Sequence, residues 1–455
     1  MPAESLKWHF GVLSFTGAGH LTPLLALGQE LKDRGHRVTF FEKPKIEERV
    51  RHAGLEFVPL GEWRSPKGVK VSQDAPGILW ELATLRFNLN RIILDVQRFL
   101  ETSPAALGGA GVNALIVNEI ALTGPTVAQM LGLPYFIIST NLPHRFGWGE
   151  YRRFGGYRLS RSMLSRLERA LLELSCLRMH GPIARAINQY RRQLGFGPVR
   201  NSENEYPCLA HITQMPQFFD IPRDDLPKNF CYAGPFTSSS ARPEVDFPWE
   251  RLDGRPLIYA SLGTTRNVRR EIFYLIAKAC CELDVQLVIA LGNRFDPAQF
   301  SDLPGAPVVT QYAPQPELLK VASLVISHGG PNTVLEAFAA GKPMIAIPLA
   351  YDQPANALRL ERLGAAEVLP VMRLTAQAIR EAVVKVLNEP RYRDAALQAQ
   401  SDQSLLNGTA RAANLMEDSL ADYRAIPQHN TAQIEQRPGL FGSHEDPEAA
   451  SCLQR

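Results

Sequence analysis

The sequence predicts an α/β protein of two parallel-sheet domains, and three observations predict it. At 455 residues the chain exceeds one ordinary core, which favours two domains with a cleft between them. Short apolar runs alternate with helical patterns through both halves, the pattern of parallel strands joined by crossover helices. Between Gly234 and Pro256 that alternation gives way to GPFTSSSARPEVDFPWERLDGRP, whose Pro, Ser and Gly mark a linker. The expected organisation is an N-terminal domain over 1–235, a linker over 236–255, a C-terminal domain over 256–390, closing helices over 391–423 and a disordered tail over 424–455.

Taken in order, the first half reads as strand Phe10 to Phe15, helix Leu21 to Arg34 and strand Val38 to Phe41, with Gly35-His36 as the turn. Leu55 to Leu60, a long helix near Ile78 to Phe99, Ala114 to Val117, Thr126 to Leu131 and Tyr135 to Ser139 continue the series. In the second half the strands are Leu257 to Ser261, Gln286 to Ala290, Val308 to Thr310, Leu324 to Ser327 and Met344 to Ile347. Helices fall near Arg269 to Leu283, from Asn332, and through Ala355 to Leu363, with closing helices over Thr375 to Asn388 and Arg391 to Leu420. In such sheets ligands belong at the C-terminal ends of the strands.

Composition narrows the class. With 45% hydrophobic residues, 21% charged and a net charge of +3, the chain is globular and is not built to bind nucleic acid. Six cysteines at 176, 208, 231, 280, 281 and 452 lack metal-ligand spacing, so reduced thiols in a cytoplasmic protein are expected. The N-terminus offers no signal peptide, and no apolar run approaches about 20 residues. One segment stands apart: 145–192 carries eleven arginines against three glutamates. A solvated helical insertion is the ordinary outcome. Peripheral contact with an anionic membrane is the sharper one, with Leu164, Leu167, Leu171, Leu172 and Leu174 as apolar complement.

The most informative stretch is QYAPQPELLKVASLVISHGGPNTVLEAFAAGKPMIAIPLAYDQ, Gln311 to Gln353. A short strand ends at Ser327, His328, Gly329 and Gly330, and a helix opens at Asn332-Thr333. The first amides of a helix have no intrahelical acceptor, so with the helix dipole they can face an anion such as a diphosphate. Glu336 and Asp352-Gln353 follow at fixed offsets. Each has a plain structural reading as well: a first-turn carboxylate that complements the dipole, and an N-cap aspartate.

After the first strand comes FTGAGHLTPLLALGQEL, with Gly17, Gly19 and His20 at the mouth of a helix. A dinucleotide fingerprint would want glycine at position 22, where Thr22 and Pro23 stand, so that reading is incomplete despite Glu42 after the second strand. His20 is either a helix-end structural residue or a general base, a role suited to an imidazole with an ordinary pKa near about 6.5. A base of this kind works best with a carboxylate on its other nitrogen. Asn118 and Glu119, at another strand end, are the residues in reach, and Asn118 can orient a ring without compensating its charge.

With these residues in view the chain resembles the family-1 UDP-glycosyltransferases, most of all the bacterial macrolide and zeaxanthin glycosyltransferase group, over positions 8 to 420. Tyr312-Ala313-Pro314-Gln315, His328-Gly329-Gly330, Asn332-Thr333, Glu336, Gly341-Lys342-Pro343-Met344, Pro348 and Asp352-Gln353 match the family's signature box. Gly19 to Pro23 and Ser261 to Thr265 match two further elements. The resemblance implies a GT-B fold: two Rossmann-like domains facing an interdomain cleft, with the donor in the C-terminal one.

It implies that Tyr312 stacks on uracil, Ala313 meets the base edge and Gln315 contacts the ribose. Glu336 would accept from two ribose hydroxyls. Gly19, Ser261, Thr264, His328, Gly330, Asn332 and Thr333 would surround the diphosphate, and Asp352 with Gln353 the sugar, glucose being favoured. No metal and no cofactor is expected, the UDP-sugar being a co-substrate. Asn118 stands where the family has the aspartate that pairs with the catalytic histidine, so either Glu119 substitutes or the dyad is weakened. For a hydrophobic acceptor the candidates are Trp80, Phe87, Phe136, Asn141, His144, Phe146 and Trp148, although aromatics on such elements are more often core. The implied activity is inverting transfer of a hexose to a hydroxyl of a carotenoid, macrolide, sterol or phenol, with His20 as base. A catalytically weakened UDP-sugar-binding protein or regulatory subunit is the alternative. A sugar-nucleotide epimerase is less consistent with the GHLTP histidine.

Overall fold

Phe10 and Val12 project to one side of strand β1 (His9–Leu13) and Leu13 to the other, as a pleated strand requires, and each side has its own core. This is the plan of both sheets. The computed structural model describes residues 7–14, 17–61, 77–142, 181–198, 208–222, 226–237, 245–263, 269–292, 295–349 and 352–425, with the side chains of 18, 77–89 and 91 left aside.

The first sheet contains β1, β2 (Arg37–Glu42), β3 (Glu56–Pro59), β4 (Ala114–Asn118), β5 (Tyr135–Ser139), β6 (Cys208–Thr213) and β7 (Phe230–Tyr232). Its order is β3-β2-β1-β4-β5-β6-β7, and the pairings are parallel. The second contains β8 (Leu257–Ser261), β9 (Gln286–Ala290), β10 (Val308–Thr310), β11 (Ala322–Ser327), β12 (Met344–Ala346) and β13 (Ala366–Val368), in the order β10-β9-β8-β11-β12-β13, again parallel. Strand order reverses between β1 and β4 in one sheet and between β8 and β11 in the other. Crevices form where order reverses, beyond the strand C-termini.

The alternation read from the sequence corresponds to these elements, with three differences. β6, β7 and β13 lay outside it: β7 and β13 have three residues each, and β6 carries Cys208, His211 and Thr213 among its six. The long N-terminal helix runs Gly77–Gly109, through Pro104. The closing segment is two helices, Pro390–Ser404 and Gly408–Ala425, and the second returns to the first domain. There Ala412, Ala413, Met416 and Leu420 join Leu24, Leu27 and Ile212 in one buried cluster. Arg34 and His36 bond Glu417, and the Arg424 guanidinium lies 4.0 Å from the Trp8 ring centroid. The crossing point needs glycine: a Cβ on Gly408 would stand 2.0 Å from the Gly234 carbonyl oxygen, and Gly234 itself has φ +100°.

Much of the arginine-rich segment and the tail expected to be disordered lie outside the described residues. In the helix over 181–193, Arg191 is a buried structural cation, donating to the Gly197 carbonyl at 2.7 Å and to Thr126 Oγ1 at 3.1 Å. Among the described residues no helix is long and apolar enough to cross a membrane. Cys208, Cys231, Cys280 and Cys281 are free thiols.

Candidate active site

β11 carries the chain to Ser327 at its C-terminal end, and Gly329, at φ +81°, turns it into the helix Pro331–Ala339. Val334 N–H is the first amide to bond back, to Gly330 O at 3.0 Å, so the amides ahead of it point out of the helix N-terminus. His328 sits beside this turn, its imidazole donating to the Ser261 carbonyl at the end of β8. Burial pushes it down to about 4, so it is neutral at physiological pH. The ring fills the space between two glycines: a Cβ on Gly263 would approach it to 2.7 Å and one on Gly330 to 2.5 Å. Ser261, His328, Gly330, Asn332 and Thr333 therefore converge at the β8/β11 crevice, while Thr264 lies outside the described residues.

Nearby, Gln315 donates to Glu336 Oε2 at 2.7 Å and to Thr333 Oγ1 at 3.4 Å, and accepts from the Tyr259 hydroxyl at 3.0 Å. Gln315, Thr333 and Glu336 thus form one hydrogen-bonded cluster. Ala313 packs against the C-terminal core, and Tyr312 is 42% exposed, its aromatic ring open to the solvent. Asp352 precedes the helix Gln353–Leu363, but its side chain makes no cap hydrogen bond to the helix amides. The carboxylate takes hydrogen bonds from Asn356 Nδ2, at 3.1 Å, and from Asn141 of the other domain. Burial raises its pKa to about 6. Gln353 is buried, its Oε1 accepting from Leu349 N–H at 2.8 Å.

Opposite stands the β1/β4 crevice. His20 lies in the first turn of the helix Ala18–Asp33, its Nδ1 2.8 Å from Thr140 Oγ1, and burial depresses its pKa to about 4. Asn118, fully buried, accepts from Ile120 N–H at 3.3 Å and reaches the Ile138 carbonyl at 3.5 Å, which makes it a bracket for the strand end. Glu119 is half-buried and hydrogen-bonded with Ser139, whose Oγ lies 2.6 Å from His211 Nε2. Burial, and then the nearby Asp352 charge, raise Glu119 to about 8. The two crevices meet: Asn332 Nδ2 donates to the Gly19 carbonyl at 3.1 Å.

Of the acceptor candidates, Asn141 faces Asp352 of the other domain. Phe136 is fully buried in the N-terminal core with Phe10 and Ile116, so its place is packing and not a pocket wall. The side chains of Trp80 and Phe87, and residues His144, Phe146 and Trp148, lie outside the described residues. Thr140 and Gln214 were not foreseen. Each directly follows a strand, β5 and β6, and Gln214 was hidden because β6 was.

Residues 13–143 match the glycosyltransferase family 28 N-terminal domain and residues 267–416 the glycosyltransferase family 28 C-terminal domain. A zeaxanthin glucosyltransferase of Pseudescherichia vulneris is 30% identical over 92% of this chain and 99% of its own. The NDP-glycosyltransferase YjiC of Bacillus subtilis is 28% identical over 93% of this chain and all, 100%, of its own. Among solved structures, the glycosyltransferase of kitacinnamycin superposes with a TM-score of 0.71 at 24% identity, covering 91% of this chain and 100% of that one. The glycosyltransferase VinC, solved in complex with dTDP, gives 0.62 at 20% identity, with 90% and 99% covered.

Proposed function

The chain belongs to the glycosyltransferase family whose N- and C-terminal family 28 domains it carries, and from that premise we propose that it moves a hexose, glucose favoured, from a UDP-sugar to a hydroxyl of a hydrophobic small molecule. The GT-B architecture supplies the cleft. The observation that supports the reading is the junction of its two halves: the turn bearing His20 is hydrogen-bonded, through the Gly19 carbonyl, to Asn332 at the mouth of the donor-side helix.

On this reading His20, neutral through burial, takes the acceptor proton while the acceptor oxygen attacks C1. This role requires the tautomer whose Nδ1–H is directed at Thr140 Oγ1, which leaves the Nε2 lone pair for that proton. The bond from C1 to the diphosphate breaks in the same step, giving inversion. Charge on the departing UDP is received by the amides and dipole of Pro331–Ala339 and by the hydroxyl of Thr333. Tyr312 and Gln315 with Glu336 hold the nucleoside, and Asp352 with Gln353 the sugar.

Incubation with UDP-glucose and a panel of carotenoid diols, macrolides, sterols and phenols, with mass-spectrometric detection, tests this. Addition of one hexose to an acceptor with matched UDP release is expected; tight UDP binding without transfer to any acceptor would favour the second reading, a UDP-sugar-binding protein or regulatory subunit. That reading draws on Asn118, an uncharged strand-end bracket where a charge-compensating carboxylate would serve the base.

A further inference from the structure

Gln214 follows β6 and is 2% exposed, its position fixed by its own N–H donating to the Ser139 carbonyl at 3.1 Å. The side-chain amide spends one hydrogen within its own domain and the other across the domain boundary. One goes to the Thr140 carbonyl at 2.7 Å, the other to Asn332 Oδ1 at 2.9 Å. The Asn332 amide cannot simply turn over, because its Nδ2 donates to Gly19 O. Thr140 in turn meets His20 through Oγ1, and Gly19 is the residue before His20. A closed ring results: His20, Thr140, Gln214, Asn332, Gly19 and back to His20.

We propose that Gln214 is a positioning residue for glycosyl transfer, holding the His20 imidazole in register with the diphosphate-binding helix when the two domains are together. The role rests on the transferase reading above. Ordinary packing would ask only for a side chain of similar volume, whereas this ring needs two N–H donors on one atom, aimed at acceptors from two domains. Thr140 and Asn332 present acceptors there, a carbonyl and an amide oxygen, and burial makes leaving either unpaired unfavourable. Misplacement of a reacting group by about 1 Å can cost on the order of 100-fold in rate. The ring fixes the separation of base and leaving group on that scale.

The test is Gln214→Met in the full chain, which keeps the length of the side chain, adds no charge and removes both donors. The expected results are a fall in kcat of about 10- to 100-fold, UDP affinity by calorimetry within about threefold, and a His20 imidazole titration by NMR that moves from about 4 toward the ordinary value near 6.5 as the loosened cleft admits water. A parent-like kcat together with a parent-like titration overturns the proposal. The NMR readout needs no turnover, so failure of the parent to glycosylate anything defeats the transferase reading while a shifted titration still reports the ring. Should Gln214→Met lose its fold, Asn332→Ala cuts the same ring at a half-exposed side chain, and there an unmoved His20 titration counts against the proposal.

Discussion

The Arg359 guanidinium grips Asp220 Oδ1 through Nη2 at 2.8 Å and Nε at 3.0 Å, with both side chains almost shut off from water, 3% and 1% exposed. Asp220 lies between β6 and β7 of the first sheet, and Arg359 on the helix that Asp352 precedes, so the pair fastens that helix to the other domain. The Tyr232 hydroxyl at 2.7 Å and Ile221 N–H at 2.8 Å also donate to the Asp220 carboxylate.

Removing one member strands a buried charge. Arg359→Met should lower stability by about 3–5 kcal/mol, seen as a lower urea midpoint, and Arg359→Met with Asp220→Leu should recover much of it. Additive losses in the double variant would show that the two side chains do not act as a pair.

Glu119 and Asp352 approach each other across the cleft with pKa values raised to about 8 and about 6. A carboxyl whose folded-state pKa is raised above its unfolded value near about 4.5 gives stability that is complete below that value and lost as pH rises through the folded one. Glu119→Gln has no charge to lose. Its Tm relative to the parent should therefore climb between pH 5 and pH 8.5 in the absence of donor, and a difference that stays flat over that range would rule out the burial of an ionisable Glu119.

Much of this was legible in the sequence where local pattern and tertiary role agree. The turn Ser327 to Gly330 shows its glycines, and those glycines are required by the His328 ring packed against Gly330 and Gly263. The GHLTP turn likewise exposed His20. What the sequence did not carry is contact between distant segments: Asn332 to Gly19 spans 313 positions and Asn332 to Gln214 spans 118, and no periodicity encodes either. Asn141 reads as an acceptor-pocket candidate, yet its carboxylate partner belongs to the other domain. Phe136 shows the ordinary failure of composition arguments, since a strand aromatic facing a helix becomes core.

His20→Ala should abolish transfer while leaving UDP affinity within a few-fold of the parent, because His20 belongs to the N-terminal domain and not to the Pro331–Ala339 helix. Turnover near the parental rate would remove it as the base. Asn118→Asp is the companion: it keeps the oxygen that accepts from Ile120 N–H but places a charge at the β4 end beside the His20 turn. A carboxylate there stabilises the imidazolium, so the acid limb of the kcat/KM profile should move up from about 4 and the rate should rise. An unmoved limb would mean that position 118 does not address the base.

Asn141 offers the sharpest separation between donor and acceptor roles. Its side chain donates to Asp352, and that hydrogen bond lowers the Asp352 pKa against the larger upward effect of burial. Asn141→Ala removes it, so the pKa of Asp352 rises further above about 6 and more of the carboxyl is protonated at pH 7. A protonated Asp352 loses half of its capacity to accept sugar hydroxyls. The KM for UDP-glucose should increase by about tenfold, the scale of one hydrogen bond to a charged group, and the increase should be larger at pH 6 than at pH 8.5, where the carboxyl is ionised in either protein. Free UDP, which has no sugar, should bind as before. Were Asn141 an acceptor contact alone, the acceptor KM would change, the donor KM would hold, and the ratio of variant to parent would be the same at both pH values.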